Sequence, residues 1–327
     1  MNEGHGHSQW HRYDFTTPGI SPGGCFFRQW DLLRWERSFC VPGVNVMRLG
    51  SPAHRDLFCR SLLETHQTYD PTTFPWPELD GKTLDFLRGI PFWQEALATE
   101  KRAGMMAQAF AEEIDDPLIR QAVALQAAEE ARHGRLLTCL VQRYGIPVNL
   151  DPDYTPPQDL RQAFVDFGFS ECLDSFFAFG FFRIAQRSGF FPEVLFTLFD
   201  PIIEEEARHI VFFVNWLAYE QSRRGWGVAP YRAVNSLWNY GKALSHLVGS
   251  FQGAATAGSG FTAAGALVFA PDLTLRSFLA TCVAENAHRM RAFAPELLQP
   301  RLLPRLSQTI LRVLQWLPQK QTQVSPA

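Results

Sequence analysis

Apolar residues recur at helical spacing over most of the chain after residue 90, and this pattern predicts a series of helices. Four long ones follow each other closely, and very short turns join them in two pairs. Their predicted bounds are 92–113, 117–144, 159–187 and 192–222. Further helices are predicted near 52–67, 229–248, 273–294 and 301–317. The pattern therefore indicates an all-α fold.

Local signals set several helix boundaries. Asp116 is a natural N-cap, and Pro117 suits the first helical position because its missing N–H would have no partner there. Gly145, followed by Pro147, is a standard stop signal. Pro201 lies within the fourth long stretch and either starts a new helix or kinks the existing one, which the sequence does not decide.

A proline-rich connection separates the two helix pairs. Residues 146–158 contain four prolines and show no helical period. An extended segment of this length spans roughly 40 Å, about the length of a 25-residue helix. It would carry the chain from one end of a bundle to the other, which predicts a four-helix bundle with one long crossover.

The four long helices divide the chain into three parts. Residues 1–90, with recurrent Pro-Gly pairs, are interpreted as an irregular N-terminal arm with short helices. Residues 91–222 form the predicted bundle. Residues 223–327 are expected to form a helical extension packed on that bundle.

The composition favours a folded protein with a large apolar core and argues against several other classes of protein. Apolar residues make up 46% of the 327 residues, which supports a sizeable core, and the net charge of −3 with scattered Lys and Arg argues against nucleic-acid binding. Six cysteines without a C-x-x-C pair fit reduced thiols in the cytosol. The beginning of the chain has no signal-peptide pattern. Residues 243–271 lack charge but are rich in Gly and Ala, so a buried or interfacial element is expected there rather than a membrane span.

A repeated pentad carries the chemistry. The string Glu-Glu-Ala-Arg-His occupies 129–133 and returns at 205–209, and both copies lie within predicted helices. Residues three apart share a helix face, so the second Glu of each copy and its His are aimed at one point. Carboxylates and imidazoles suit iron, manganese or zinc. We therefore predict a two-metal site with the ligands Glu130, His133, Glu206 and His209.

Such a site in a four-helix bundle needs one more carboxylate from each of the other two helices. Reflection through the turn near residue 115 places Glu100, rather than Glu95, level with Glu130. Reflection through the turn near residue 189 places Glu171 and Asp174 level with Glu206. We predict that Glu100 and Glu171 are ligands. We expect Asp174 to hold the outer ring nitrogen of a ligand histidine.

The first glutamate of each pentad falls on a different face from the predicted ligands. Arg132 and Arg208 follow Glu129 and Glu205 at i+3, so these residues are interpreted as structural salt bridges.

Other histidines are weaker candidates. His66 and the early histidines are expected to be exposed or locally bonded. A third Glu-x-x-His is expected to lie on the surface or to contact the metal ligands rather than the metal. The early histidines are His5, His7 and His11, and the third motif is Glu285-Asn286-Ala287-His288.

The predicted ligands resemble those of the ferritin-like di-iron carboxylate superfamily, which includes rubrerythrin, the ribonucleotide reductase small subunit, acyl-carrier-protein desaturases and arylamine N-oxygenases. The resemblance covers about 90–222 and is most specific at the paired pentads. It implies two iron ions, or manganese or a mixed pair. It also implies dioxygen and an external electron donor as reaction partners. A homodimer stays open as an assembly.

The leading functional prediction is a di-iron oxygenase or oxidase that acts on a small apolar substrate, either acyl or aromatic. Ala103, Gly104 and Ala107 share the face of Glu100 and would leave space near the metals, opposite a phenylalanine-rich third helix. The alternatives are a ferritin-like iron-handling protein, a rubrerythrin-like peroxide reductase that lacks a fused electron carrier, and a metal-free bundle.

Overall fold

The computed structural model describes residues 47–151, 154–253 and 273–316. Within these ranges, regular structure consists of nine α-helices and one short 3-10 turn at Pro71–Thr73, without a strand. The helices are α1 (Pro52–Glu64), α2 (Gly81–Gly89), α3 (Trp93–Glu113), α4 (Pro117–Tyr144), α5 (Leu160–Arg187), α6 (Glu193–Arg223), α7 (Ala229–Gly253), α8 (Leu275–Met290) and α9 (Leu302–Trp316). The all-α prediction is confirmed for the described residues.

The predicted boundary signals act at the expected positions. The Asp116 carboxylate accepts hydrogen bonds from the backbone N–H groups of Leu118 and Ile119, at 3.0 and 3.2 Å. Gly145 ends α4 in the left-handed conformation, with φ of 62°, which costs a glycine little. The helix α6 continues through Pro201, so this proline does not start a new helix.

The four long helices α3, α4, α5 and α6 share one interior. The helix α3 packs along α4 and also contacts α5, while α6 packs along α5 and also contacts α4. Around them, α1 packs on α4 and α6, while α7 and α8 pack on α5 and α9 packs on α8. The long helices are therefore covered by other helices on several sides.

Two apolar clusters fill most of this interior. One includes Phe58, Phe110, Phe164 and Trp216, and the other includes Leu97, Leu137, Leu140 and Phe196. In the middle of α4, the side chains of Glu129, Glu130, Arg132 and His133 are buried but belong to neither cluster. Polar groups thus occupy the layer between two apolar ones.

Gly104 brings α3 and α4 close together. A Cβ atom at this position would lie 3.1 Å from the backbone nitrogen of Ala131 and 3.2 Å from the carbonyl oxygen of Ala127. Ala107 is fully buried in the same contact region. The expectation that Gly104 leaves space beside the metals is therefore wrong, because this residue lets two backbones approach. Ala107 does not line the cavity beside the cluster either.

Several predictions concern residues beyond the described ranges. The N-terminal arm lies outside them up to residue 46, and so do His5, His7 and His11. Most of the uncharged 243–271 stretch also lies outside. Among the residues described, no helix combines the length and the apolar character that crossing a membrane requires. The described cysteines are all free thiols, at positions 59, 139, 172 and 282.

Candidate metal centre

Four helices bring glutamate and histidine side chains together near their midpoints. The helix α3 supplies Glu100, and α5 supplies Glu171. The pentads on α4 and α6 supply the remaining groups, Glu130 with His133 and Glu206 with His209. Each Glu-x-x-His pair shares a face because three residues advance a helix by less than one turn.

The ligating atoms converge tightly. One atom each from Glu100, Glu130, His133 and Glu206 forms a group in which all pairs lie within 4.8 Å. The Nδ1 atom of His133 lies 3.3 Å from Glu100 Oε2 and 3.2 Å from Glu206 Oε1. The Nδ1 atom of His209 lies 3.0 Å from Glu130 Oε1, and the two imidazole centroids are 5.8 Å apart. This is a buried cluster of Glu and His side chains that could hold a metal ion.

Burial and neighbouring charges shift the pKa values of the carboxyl groups in this cluster in different directions. Burial raises the pKa of Glu171 well above its usual value, and the neighbouring Glu206 adds to the effect. Burial also raises the pKa of Glu100 to about 8, although His133 opposes the shift. Burial also disfavours the ionised form of Glu130, but His209 and His133 outweigh it and lower the pKa of this group. A cation beside Glu100 and Glu171 would favour their ionised forms.

The pKa values of the two histidines are also raised, but for an imidazole this favours the charged form. Burial disfavours the imidazolium of His209, but Glu130 and Glu129 outweigh it and raise the pKa to about 10. The pKa of His133 is also raised well above 6.5, because the surrounding carboxylates outweigh its burial. The cluster thus attracts positive charge to the point where its carboxylates meet.

The first glutamates of the pentads bind the histidines of the opposite helix. Glu205 on α6 lies 2.8 Å from Nε2 of His133 on α4. Reciprocally, Glu129 on α4 lies 2.8 Å from Nε2 of His209 on α6. When the ring is neutral, an N–H donated from Nε2 leaves the lone pair on Nδ1, which faces the other glutamates. Each pentad therefore supplies a Glu and a His that could bind a metal, together with a glutamate that bonds the histidine of the other pentad.

The arginines of the pentads also reach across. Arg132 lies 2.6 Å from Glu205, and Arg208 lies 2.9 Å from Glu129. The distances within each helix are longer, at 3.7 Å for Arg132 to Glu129 and 3.3 Å for Arg208 to Glu205. The prediction of salt bridges holds, but the shorter ones join two helices, and the same glutamates also orient the ligand histidines.

Two residues from the loop after α1 complete this outer layer, and the sequence reasoning missed both roles. His66 Nδ1 lies 2.8 Å from Glu129 Oε1, so the expectation of a merely exposed or locally bonded histidine is wrong. The hydroxyl of Tyr69 donates to Glu205 Oε2 at 3.1 Å, and the Arg132 guanidinium lies 4.3 Å from the centre of the Tyr69 ring. Neither residue stands at a repeated or level-matched position, so no sequence signal identified them.

Hydrogen-bond and ion-pair partners surround both outer glutamates. Burial alone would raise the pKa of Glu129, but His209, Arg208 and His66 lower it to about 2. Glu205 is likewise fully buried and is bonded to Arg132 and His133. Each outer glutamate is thus paired with an arginine and a histidine, while the Nε atoms of Arg132 and Arg208 make no hydrogen bond.

Asp174 does not have the predicted role. The outer ring nitrogens of both ligand histidines are bonded to glutamates of the pentads, so no ring nitrogen is left for Asp174. Its carboxyl lines a cavity instead, and burial together with Glu206 raises its pKa to about 7. Reflection through the turn near residue 189 correctly placed Asp174 near the site. It could not reveal that the Nε2 atoms of both histidines are already bonded to Glu205 and Glu129.

The competing candidates lie elsewhere. Glu95 is 48% exposed and pairs with Arg102 at 3.1 Å, away from the cluster that contains Glu100. In the third Glu-x-x-His, Glu285 lies 3.5 Å from Arg183, and the exposed His288 accepts a hydrogen bond from Arg291. Neither pair is part of the cluster.

Unbonded polar atoms point to a metal in the cluster. The Nδ1 atoms of His133 and His209 are buried and make no hydrogen bond, and the same holds for Glu206 Oε2. Buried polar atoms without partners are costly, so such atoms call for a ligand. Imidazole nitrogens and carboxylate oxygens at one point form a donor set that suits divalent iron, manganese or zinc.

An apolar cavity of about 360 Å³ adjoins the cluster. Glu100, Glu171 and Glu206 form part of its wall. Most other lining side chains are apolar and come from α3, α5, α6 and the segment before α3; among them are Leu87, Ile90, Phe92, Phe181, Phe182, Leu195, Phe196, Phe199 and Ile202. The cavity therefore joins the carboxylates to a space that suits a small apolar molecule.

Comparison of the chain with protein-family models, with curated proteins and with solved structures found no match.

Proposed function

We propose that the chain is a di-iron oxygenase or oxidase, built on a ferritin-like bundle of α3 to α6, that uses dioxygen to oxidise a small apolar substrate. One observation carries the proposal. Glu100, Glu130, His133 and Glu206 converge on one point, His209 approaches Glu130, and Glu171 approaches Glu206. The Nδ1 atoms of both histidines are unbonded, and Glu100, Glu171 and Glu206 line an apolar cavity.

The helix packing supports the ferritin-like part of the proposal. The helices α4 and α5 each contact α3 and α6, which places them diagonally across the group of four. The connection between α4 and α5 runs from 145 to 159, and its length suits a crossover between diagonal helices.

Six residues would hold the two metals: Glu100, Glu130, His133, Glu171, Glu206 and His209. Four carboxylates and two neutral imidazoles balance two divalent cations. When bound, a pair of iron ions would supply the capacity to reduce dioxygen with electrons from an external donor. The same ligand set accepts manganese, so metal analysis belongs to the test.

The residues of the chain prepare the site for this chemistry. Glu205 and Glu129 hold the imidazoles of His133 and His209 so that Nδ1 of each ring faces the metal position. Arg132 and Arg208 compensate the charge of these glutamates. The apolar cavity wall excludes water and keeps an apolar substrate beside Glu100, Glu171 and Glu206.

The cavity favours substrate oxidation over iron storage. A protein that only loads and releases iron needs a polar route for the ion, whereas the lining beyond the carboxylates is mainly phenylalanine, leucine and isoleucine. Such a lining stabilises an apolar molecule by removing its surface from water.

Metal analysis tests the proposal directly. The wild-type chain, purified without a chelating tag, is expected to carry two iron or manganese ions per chain. The variants Glu130→Ala and His209→Ala are expected to lose most of this metal. Two exposed residues provide matched controls: Glu64→Ala and His288→Ala remove the same side-chain types and are expected to keep the full metal content.

Oxygen consumption by the di-ferrous protein then tests the reaction class. We expect rapid uptake of dioxygen in the wild type and no uptake above background in Glu130→Ala. A chain that binds no metal, or that assembles into a shell loaded with iron mineral, would contradict the proposal.

A further inference from the structure

Asp174 is a carboxyl group on the wall of the apolar cavity that has no partner among the described residues. Within the described ranges it makes no hydrogen bond and no ion pair. It lies one helical turn from Glu171 on the same face of α5. Glu95, on the same cavity wall, differs because it is bonded to Arg102.

The negative charge of an ionised Asp174 has no cationic partner among the described residues. In the proposed centre, the four ligand glutamates balance two divalent cations. The outer glutamates, Glu129 and Glu205, are balanced by Arg132 and Arg208. No cation of the described chain pairs with Asp174, and burial raises its pKa to about 7. An unpaired carboxylate in apolar surroundings is costly, so a ligand that brings positive charge would be strongly favoured.

The apolar side chains and the volume of the cavity indicate the character of the rest of the ligand. Phe181, Phe182 and Phe199 line it together with Leu195 and Ile202. Its volume of about 360 Å³ lies at the lower end of the roughly 300–1,000 Å³ that small-molecule pockets occupy. The complementary molecule is therefore small and apolar and carries one positive group.

We propose that the cavity binds an apolar molecule with a protonated aliphatic amine, whose ammonium group donates a hydrogen bond to Asp174. This substrate class rests on the proposed di-metal function, because the bound metals neutralise the other carboxylates of the cavity. Asp174 then holds the ammonium group and leaves the apolar body in the phenylalanine-lined space. Anilines are unprotonated at neutral pH and lack this charge, so they are poor ligands in this scheme.

Calorimetric titration of the metal-loaded protein with n-octylamine and with 1-octanol tests the proposal, since the two probes differ mainly in charge. We expect the wild type to bind n-octylamine at least tenfold more tightly than 1-octanol, as suits a hydrogen bond between charged groups. In the near-isosteric variant Asp174→Asn this preference should vanish, while the affinity for 1-octanol stays within about twofold, because the apolar contacts are unchanged.

The variant Glu95→Gln is the matched control, because Glu95 lines the same cavity but already has a cationic partner. It is expected to keep the preference for the amine. Equal affinities for the two probes in the wild type, or no binding of either, would overturn the proposal. A preference that survives in Asp174→Asn would also overturn it, since the amine would then bind the metals or another carboxylate. Metal content, measured in the same samples, reports separately on the proposed function.

Discussion

The two pentads build two layers with opposite properties from one repeated string. The outer layer of Glu129, Glu205, Arg132 and Arg208 is buried, and each glutamate has arginine and histidine partners. In the inner layer, carboxylates crowd one another, and imidazole nitrogens make no hydrogen bond. Because both layers are buried, burial alone does not identify a metal site. The glutamates of the outer layer have cationic partners within the protein, whereas the side chains of the inner layer form a group that could hold a metal ion.

The largest expected effect comes from breaking the outer layer. Glu205→Ala removes the partner of Arg132, His133 and Tyr69, and leaves buried groups unpaired. We expect the metal-free protein to lose about 3–5 kcal/mol of unfolding free energy, measured by urea denaturation. Glu64→Ala, which breaks an exposed ion pair with Arg60, is the control and should cost less than about 1 kcal/mol. A loss as small as that of the control would contradict the division into two layers.

The next effect concerns the inner layer and its metal. Metal at about one hundred times its dissociation constant should stabilise the wild type by about 3 kcal/mol, because the unfolded chain lacks the site. Glu171→Gln should abolish this gain, yet leave the metal-free protein within about 1 kcal/mol of the wild type, because burial and Glu206 already favour the protonated form of Glu171. Thermal or urea unfolding with and without metal measures both quantities. An equal gain in the variant would exclude Glu171 as a ligand.

A smaller effect should appear in the pH dependence of the metal-free protein. The pKa of Asp174 rises from 3.8 to about 7 on folding, so the folded state binds more protons than the unfolded state between these values. Stability should therefore decrease as pH rises through this window and level off above it. Asp174→Asn removes this contribution and should be more stable than the wild type above pH 7, by about 1–3 kcal/mol. The two proteins should converge near pH 4. Parallel curves at all pH values would contradict the burial of this carboxyl.

The smallest effect belongs to Tyr69. Tyr69→Phe removes the hydroxyl that donates to Glu205 and keeps the ring against Arg132. We expect a loss of about 1 kcal/mol in urea denaturation, with unchanged metal content, because Arg132 and His133 still bind Glu205. Loss of metal in this variant would show that the two layers are not separable in the way proposed here.

The periodic pattern predicted most of the fold because the long helices carry strong local signals. The bounds of α4, 117–144, follow from Asp116, Pro117 and Gly145, each of which acts on the backbone of its own helix end. Comparing heights along two helices joined by a short turn favoured Glu100 over Glu95, because the rise per residue depends only on helix geometry. The continuity of α6 through Pro201 was open, because packing of the long helix decides it.

The errors arose where contacts join distant segments. His66 and Tyr69 reach Glu129 and Glu205 from a loop, and a loop has no period from which such a contact could be inferred. The crossing of Glu205 to His133 depends on how α4 and α6 pack, which the repeat alone does not encode. Small residues such as Gly104 are ambiguous in a sequence, because they either line a space or allow two helices to approach.

Anaerobic titration of the metal-free protein with ferrous iron tests the central claim most directly. The account predicts that the wild type binds two ions per chain, and that the double variant His133→Ala/His209→Ala binds none with comparable affinity. His288→Ala should bind two ions, as the wild type does. A wild-type chain that binds no iron, or a double variant that still binds two ions, would contradict the assignment of the inner layer as a two-metal site.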